Sequence, residues 1–241
     1  MNMSTNVQAK IYHAIQRKKF DLADTLSREI ARKIFEEEIS KLLPEEIFRL
    51  IDEITGGLGY RKNDFNVMRM GYCGSLIAWP EAVPDGGKVL EIGTGLGRTC
   101  YACVEWSNPS LFLTIDKSAV MLAIALYRNP VEAYAKSLHK KNVKIVLGDA
   151  LKVVELLPEK FNHIIHDGGP NPNKNPRLYS REFLCSLTKL LMPGGTMSVF
   201  AGRNRKWQNY IYGVLKSLGF EINSVSFPDA PTLVFRARLR A

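Results

Sequence analysis

Cysteine is scarce in this chain, four residues in 241, and no apolar run comes near the ~20 residues that a membrane-crossing helix requires. Cys73, Cys100, Cys103 and Cys185 are too few and too scattered for a disulfide framework, so reduced thiols are expected. Cys100 and Cys103 make a C-x-x-C, but neither a second pair nor matching histidines follow to complete a zinc site. They read as small residues packed on a helix. A secretory leader is missing too: Lys, Arg, Asp and Glu interrupt the apolar positions between Val7 and Arg32, so no apolar h-region forms. These absences predict a cytoplasmic protein with no membrane partner.

What is present is the composition of an ordinary globular protein, 46% hydrophobic and 24% charged, without internal repeats or low-complexity segments. The formal charge of +9 exceeds what solubility needs and points to an acidic partner, nucleic acid among the candidates.

Apolar residues recur at helical spacing from Thr5 to Ile54, as in Val7, Ile11, Ile15 and Leu22, Leu26, Ile30, which predicts two or three helices. Pro44 with Glu45 and Glu46 reads as the first turn of the last one, and Gly56 and Gly57 as its end. The division expected is a helical extension over 1–57, a linker with short strands over 58–86, and one α/β domain over 87–241. In that domain short apolar runs alternate with helical patterns. Strands are expected at Val89–Ile92, Leu111–Ile115, Val143–Leu147, Phe161–Ile165 and Thr196–Phe200, with helices between them, an alternation that demands a parallel sheet covered on both faces. The last two runs, Ile222–Phe227 and Leu233–Leu239, are joined by too short a link for a parallel crossover and must form an antiparallel hairpin.

Chemistry concentrates at the expected strand ends, where ligands bind in doubly wound sheets. Glu91-Ile92-Gly93-Thr94-Gly95-Leu96-Gly97 puts an acid and three glycines at the first of them, a turn whose backbone can approach a ligand closely. Arg98 stands where a dinucleotide fingerprint needs its third glycine, and no Lys-Ser/Thr follows for a phosphate loop. Asp116 ends the second strand, placed for ribose hydroxyls, and Asp149 the third, placed for an adenine amino group. His163 and His166, three apart on a strand, point to opposite faces and cannot share a metal ion.

Residues 88 to 220 resemble the class I S-adenosylmethionine-dependent methyltransferases, and more narrowly an archaeal group related to spermidine synthase, through Leu147-Gly148-Asp149-Ala150, Ile164-Ile165-His166-Asp167, Leu178-Tyr179-Ser180-Arg181-Glu182-Phe183 and Met192-Pro193-Gly194-Gly195. The resemblance implies a doubly wound, mostly parallel seven-stranded sheet. It also implies S-adenosylmethionine held by Glu91, Gly93, Thr94, Gly95, Asp116, Asp149 and Ala150, with Asp167 as the catalytic carboxylate. Two departures favour methyl over aminopropyl transfer: Leu96 and Pro170 stand where spermidine synthases carry amine-binding acids. An aminopropyltransferase and a non-catalytic nucleic-acid-binding protein are the competing readings. Arg203, Arg205 and Lys206, directly after the fifth strand, are candidates to meet an anionic acceptor, while Arg236, Arg238 and Arg240 read as a solvated sheet edge. The helices of residues 5–54 are expected over the acceptor side of the pocket.

Overall fold

The computed structural model describes residues 5–56, 67–169, 172–227 and 230–240. Seven strands form one sheet in the order β3-β2-β1-β4-β5-β7-β6. They are β1 (Lys88–Ile92), β2 (Leu111–Asp116), β3 (Val143–Leu147), β4 (Phe161–His166), β5 (Leu191–Gly202), β6 (Phe220–Phe227) and β7 (Ala230–Leu239). The first five run parallel, and β7 is antiparallel to both β5 and β6. The switch point lies between β1 and β4, and every parallel strand delivers its C-terminal end to the same edge. Strands β1 to β4 are almost wholly buried, in keeping with their near-continuous Val, Ile, Leu and Phe content.

Among the described residues, seven helices of the α/β half frame the sheet: α4 (Val67–Ala78), α5 (Arg98–Trp106), α6 (Ala119–Tyr127), α7 (Glu132–Leu138), α8 (Ala150–Leu156), α9 (Arg181–Lys189) and α10 (Arg205–Ser217). Cys100 and Cys103 are fully buried on α5. Helix α4 overturns part of the expected linker: of residues 58–86, the stretch to Asn66 lies outside the described residues, and the remainder begins with a helix where short strands were expected. Gly74 explains the misreading. A Cβ there would stand 2.9 Å from the Arg98 carbonyl oxygen, so the glycine lets α4 lie against α5 and does not break it.

Three helices precede the domain, α1 (Thr5–Gln16), α2 (Phe20–Ile34) and α3 (Pro44–Ile54), with a π-helical turn at Phe35–Ile39. Their place corrects the expectation that they cover the acceptor side. Helix α2 lies along the free edge of β3, three strands away from β4. Asp24 accepts from the Ile145 amide at 2.8 Å and buried Ser27 from the Leu147 amide at 2.9 Å. Side chains of a helix thus satisfy outward strand amides that a further strand would otherwise pair.

The arginines of β7 are also not at a sheet edge, because β7 is flanked on both sides. Arg236 donates to the Ser75 and Leu76 carbonyls at the end of α4 and lies over the Trp79 ring at 5.5 Å. Arg238 is exposed, and Arg240 pairs with Glu221 on the outer strand. The hairpin turn residues Pro228 and Asp229 lie outside the described residues. No helix among the described residues is long and apolar enough to cross a membrane.

Candidate functional site

The ladders run one residue past each of the central strands. Gly93 donates to Ile115, Gly148 to Asp116 and Asp167 to Ile92, at 2.8–3.0 Å. The residues read as ligand-binding therefore stand in one row, Asp149, Asp116, the glycine turn and Asp167, in the order β3, β2, β1, β4.

The turn from β1 into α5 needs its glycines for different reasons. Gly93 has φ +92°, and a Cβ on it would fall on the Asp167 carbonyl oxygen; only glycine lets the ends of β1 and β4 touch. Gly97, φ +89°, precedes α5 and abuts the Leu138 side chain. Gly95 has φ +51°, and a Cβ on it would meet nothing within 4 Å, so its outer face is an open cradle of backbone. Asp116 pins it: Oδ2 accepts from the Gly95 amide at 3.0 Å and Oδ1 from the Ser118 amide at 2.9 Å. Burial holds the Asp116 carboxyl above its ordinary pKa, against the pull of those two amides.

Glu91 and Thr94 face the other way. Glu91 is fully buried and accepts hydrogen bonds from Thr99 and from Thr114, the latter at 2.6 Å, while Thr94 and Thr114 share a 2.7 Å bond. Desolvation pushes the Glu91 pKa up to about 8, the two threonines resisting and the charges of Asp167 and Asp116 adding to it. The carboxyl thus sits beneath the glycine turn and braces it from inside, among hydroxyls that sequence spacing does not connect.

Asp149 caps α8 by accepting from the Leu151 amide at 3.0 Å, and its own amide donates to Tyr12 Oη at 3.3 Å. Ala150 begins that helix, 9% exposed. Tyr12, on α1, also packs on Gly148, where a Cβ would meet its ring at 2.9 Å. Nothing in the spacing of α1 marks that tyrosine.

Asp167 ends β4 with Arg98 Nη2 at 3.1 Å from its Oδ2; the two side chains are 25% and 18% exposed, arginine first. Burial raises the Asp167 pKa, and the guanidinium opposes the rise. In the sequence, Arg98 shows itself only by breaking the dinucleotide spacing, which gives no hint that its charge meets Asp167. Behind Asp167, His166 donates through Nε2 to the Leu178 carbonyl at 2.7 Å, and its ring lies 4.5 Å from that of Tyr179. His166 Nδ1 and Tyr179 Oη are buried with no hydrogen-bond partner among the described residues. His163 faces the opposite side of the strand, bonded to Thr196 and to the Ala78 carbonyl. Burial lowers its pKa to about 4. Pro170, the other departure from the spermidine synthase pattern, lies outside the described residues.

The sequence profile of an S-adenosyl-L-methionine-dependent methyltransferase family matches residues 120–226, a segment that begins after the glycine turn. An uncharacterised protein of Methanocaldococcus jannaschii, MJ1233, is 32% identical over 57% of this chain and 48% of its own length. A tRNA (guanine-N(7)-)-methyltransferase of Dechloromonas aromatica is 27% identical over 56% of this chain and 53% of its own. The chain thus spans about half the length of these curated relatives. The crystal structure of spermidine synthase from Thermotoga maritima superposes with a TM-score of 0.60 at 17% identity, covering 70% of this chain and 60% of that one. The segment of residues 120–226 is thus similar to an S-adenosyl-L-methionine-dependent methyltransferase family, and the seven-stranded sheet that carries the strand-end row is similar in fold to that of spermidine synthase.

Proposed function

We propose that the chain transfers a methyl group to an anionic acceptor, RNA being the leading class, with Asp167 at the reacting end of the row. The observation that carries the proposal is the open backbone cradle at Gly95, held by Asp116 and flanked by Asp149 on one side and the Arg98–Asp167 pair on the other. That donor set suits an adenosyl group with a charged amino-acid tail: carboxylates for hydroxyls and an exocyclic amine, free space over a glycine, and both signs of charge at the far end. The cofactor, when bound, supplies an electrophilic methyl on a sulfonium centre. Asp116 and Asp149 would bind the nucleoside. Asp167, its pKa raised by burial, would orient the acceptor's nucleophilic atom and take its proton. Glu91 and Thr94 would act from beneath, keeping the turn in place.

The charge distribution supports an anionic acceptor. Residues 168–241 hold eleven Lys and Arg against three Asp and Glu, whereas residues 1–167 hold 22 against 21. Nearly all of the +9 therefore lies in residues 168–241, the segment that supplies α9, β5, α10, β6, β7 and their connections beyond the switch point. Arg203, Arg205 and Lys206 are exposed at the start of α10, beside half-buried Trp207 and exposed Tyr210, whose rings meet edge to face at 5.5 Å. Cations for phosphates next to aromatic rings for bases suit a polynucleotide strand. The same charges, and Arg98 beside Asp167, oppose a polyamine, which the aminopropyl reading requires.

The test offers methyl-labelled S-adenosylmethionine with RNA, DNA and a small-molecule extract separately, and decarboxylated cofactor with putrescine in a parallel reaction. Label in RNA is the expected result. Aminopropyl transfer in the parallel reaction would overturn it, and salt-sensitive RNA binding without any turnover would favour a non-catalytic binding protein.

A further inference from the structure

Arg98 is the one charged group in the row that sequence motifs leave without a task. We infer that Arg98 receives the α-carboxylate of the cofactor's amino-acid end, so that the site selects intact S-adenosylmethionine over its decarboxylated form. The inference rests on the reading of the pocket proposed above.

Three observations converge on it. The first is reach. From β3 to β4 the row spans three inter-strand spacings of ~4.8 Å, roughly 14 Å, the scale of a nucleoside extended by a four-carbon amino acid. A ligand whose base lies at Asp149 and whose ribose lies at Asp116 passes the open face of Gly95 and meets Arg98 and Asp167 last. The touching ends of β1 and β4, fixed by Gly93 against the Asp167 carbonyl, leave that pair as the end of the row.

The second is charge. Arg98 and Asp167 form a pair of net charge zero with both side chains largely removed from water. An amino-acid tail is itself a zwitterion of net zero, with the signs placed to oppose them, carboxylate to guanidinium and ammonium to the Asp167 side. Its arrival adds partners for both ions and leaves neither uncompensated. The decarboxylated ligand brings ammonium and sulfonium without an anion, and its extra positive charge would lie next to a half-buried guanidinium, where like charge is costly.

The third is preorganisation. The Arg98 stem is held where α4 crosses α5: a Cβ on Gly74 would lie 2.9 Å from the Arg98 carbonyl and 3.0 Å from its Cγ. A planar guanidinium on a fixed stem can take a carboxylate with two parallel N–H bonds, a match that lysine does not offer.

Calorimetric titration of the full chain with S-adenosylmethionine and with decarboxylated S-adenosylmethionine decides the matter without an acceptor. Wild type is expected to favour the intact cofactor by ~10-fold or more. Arg98→Met is expected to weaken the intact cofactor by ~10- to 100-fold, the range for losing a charge-assisted pair, and to leave the decarboxylated one within about threefold. Arg98→Gln, which keeps a polar side chain of similar reach, is read by the same ratio should the Met variant not fold. Equal weakening of both ligands, or of neither, overturns the assignment. A wild-type protein that binds both alike overturns the clamp alone, and one that binds neither overturns the pocket reading with it.

Discussion

Asp167 and Glu91 are two carboxyls close to the same turn, and their surroundings give them opposite expectations. Asp167 faces the open edge, so Asp167→Asn should lower turnover at saturating cofactor ~100-fold or more, the usual scale for a positioned acid or base. Near wild-type turnover in that variant would remove it from the chemistry. Glu91 is sealed in, and its effect is on stability. Its pKa is raised from 4.5 to about 8 in the folded chain, so the folded state holds a proton that the unfolded state releases, and stability falls as pH rises through that window by ~1.4 kcal/mol per unit. Below 4.5 both states are protonated, and above about 8 both are ionised, so the slope vanishes outside the window. Glu91→Gln should remove this component, leaving a flatter stability profile across that window in urea unfolding; an unchanged slope would mean that Glu91 is ionised in the native state. The strand-end acids Asp116, Asp149 and Asp167 are legible in the sequence because residue type and place in the alternation suffice to find them. The burial of Glu91 is not legible there, because its direction depends on Thr114, its register partner across β2, and on Thr99, and no local pattern announces a buried trio of hydroxyls.

The same division between local and tertiary signals recurs among the helices and strands. Each strand of the α/β half is visible as an apolar run, and the observed bounds differ mainly at β5, which begins earlier, at Leu191, through Met192, Pro193 and the two glycines. Helix α4 is hidden because Gly74 and Gly71 look like breakers until the neighbour that Gly74 makes room for is known. The site of α1 and α2 is hidden for a related reason: Asp24 and Ser27 look like ordinary polar positions on an amphipathic helix, yet they act as acceptors for another element some 120 residues away. Ser27→Ala should therefore cost about 1–3 kcal/mol in denaturant unfolding, because it leaves the buried Leu147 amide without an acceptor, far more than helix propensity alone would predict, since alanine is the better helix former. A neutral or stabilising result would show that the edge amide finds another partner.

For the molecule as a whole, the sheet divides into an almost neutral half that carries Asp149, Asp116 and the glycine turn and a strongly basic half beyond β4. If the basic half grips the acceptor, reversing Arg203, Arg205 and Lys206 together to Glu should weaken RNA binding at least tenfold and reduce its salt dependence by up to about three counterions, with S-adenosylmethionine affinity unaffected. Equal loss of both would point to a folding defect, and loss of neither would move the acceptor surface elsewhere. Total charge is legible from composition, but its segregation acquires meaning only once the topology assigns residues 168–241 to one side.

The helical extension also has a consequence for where the chain can be cut. Its first two helices occupy the place that an eighth strand would take, with α2 serving as the hydrogen-bonding margin of β3 and Tyr12 of α1 holding the Asp149 amide. A domain boundary drawn at the start of the α/β alternation would leave β3 as a bare template for a neighbouring molecule and would loosen one end of the ligand row. The part that looks like an appendage in the linear sequence is a closing wall of the fold, and a minimal fragment that keeps the β3 edge covered has to begin at α1.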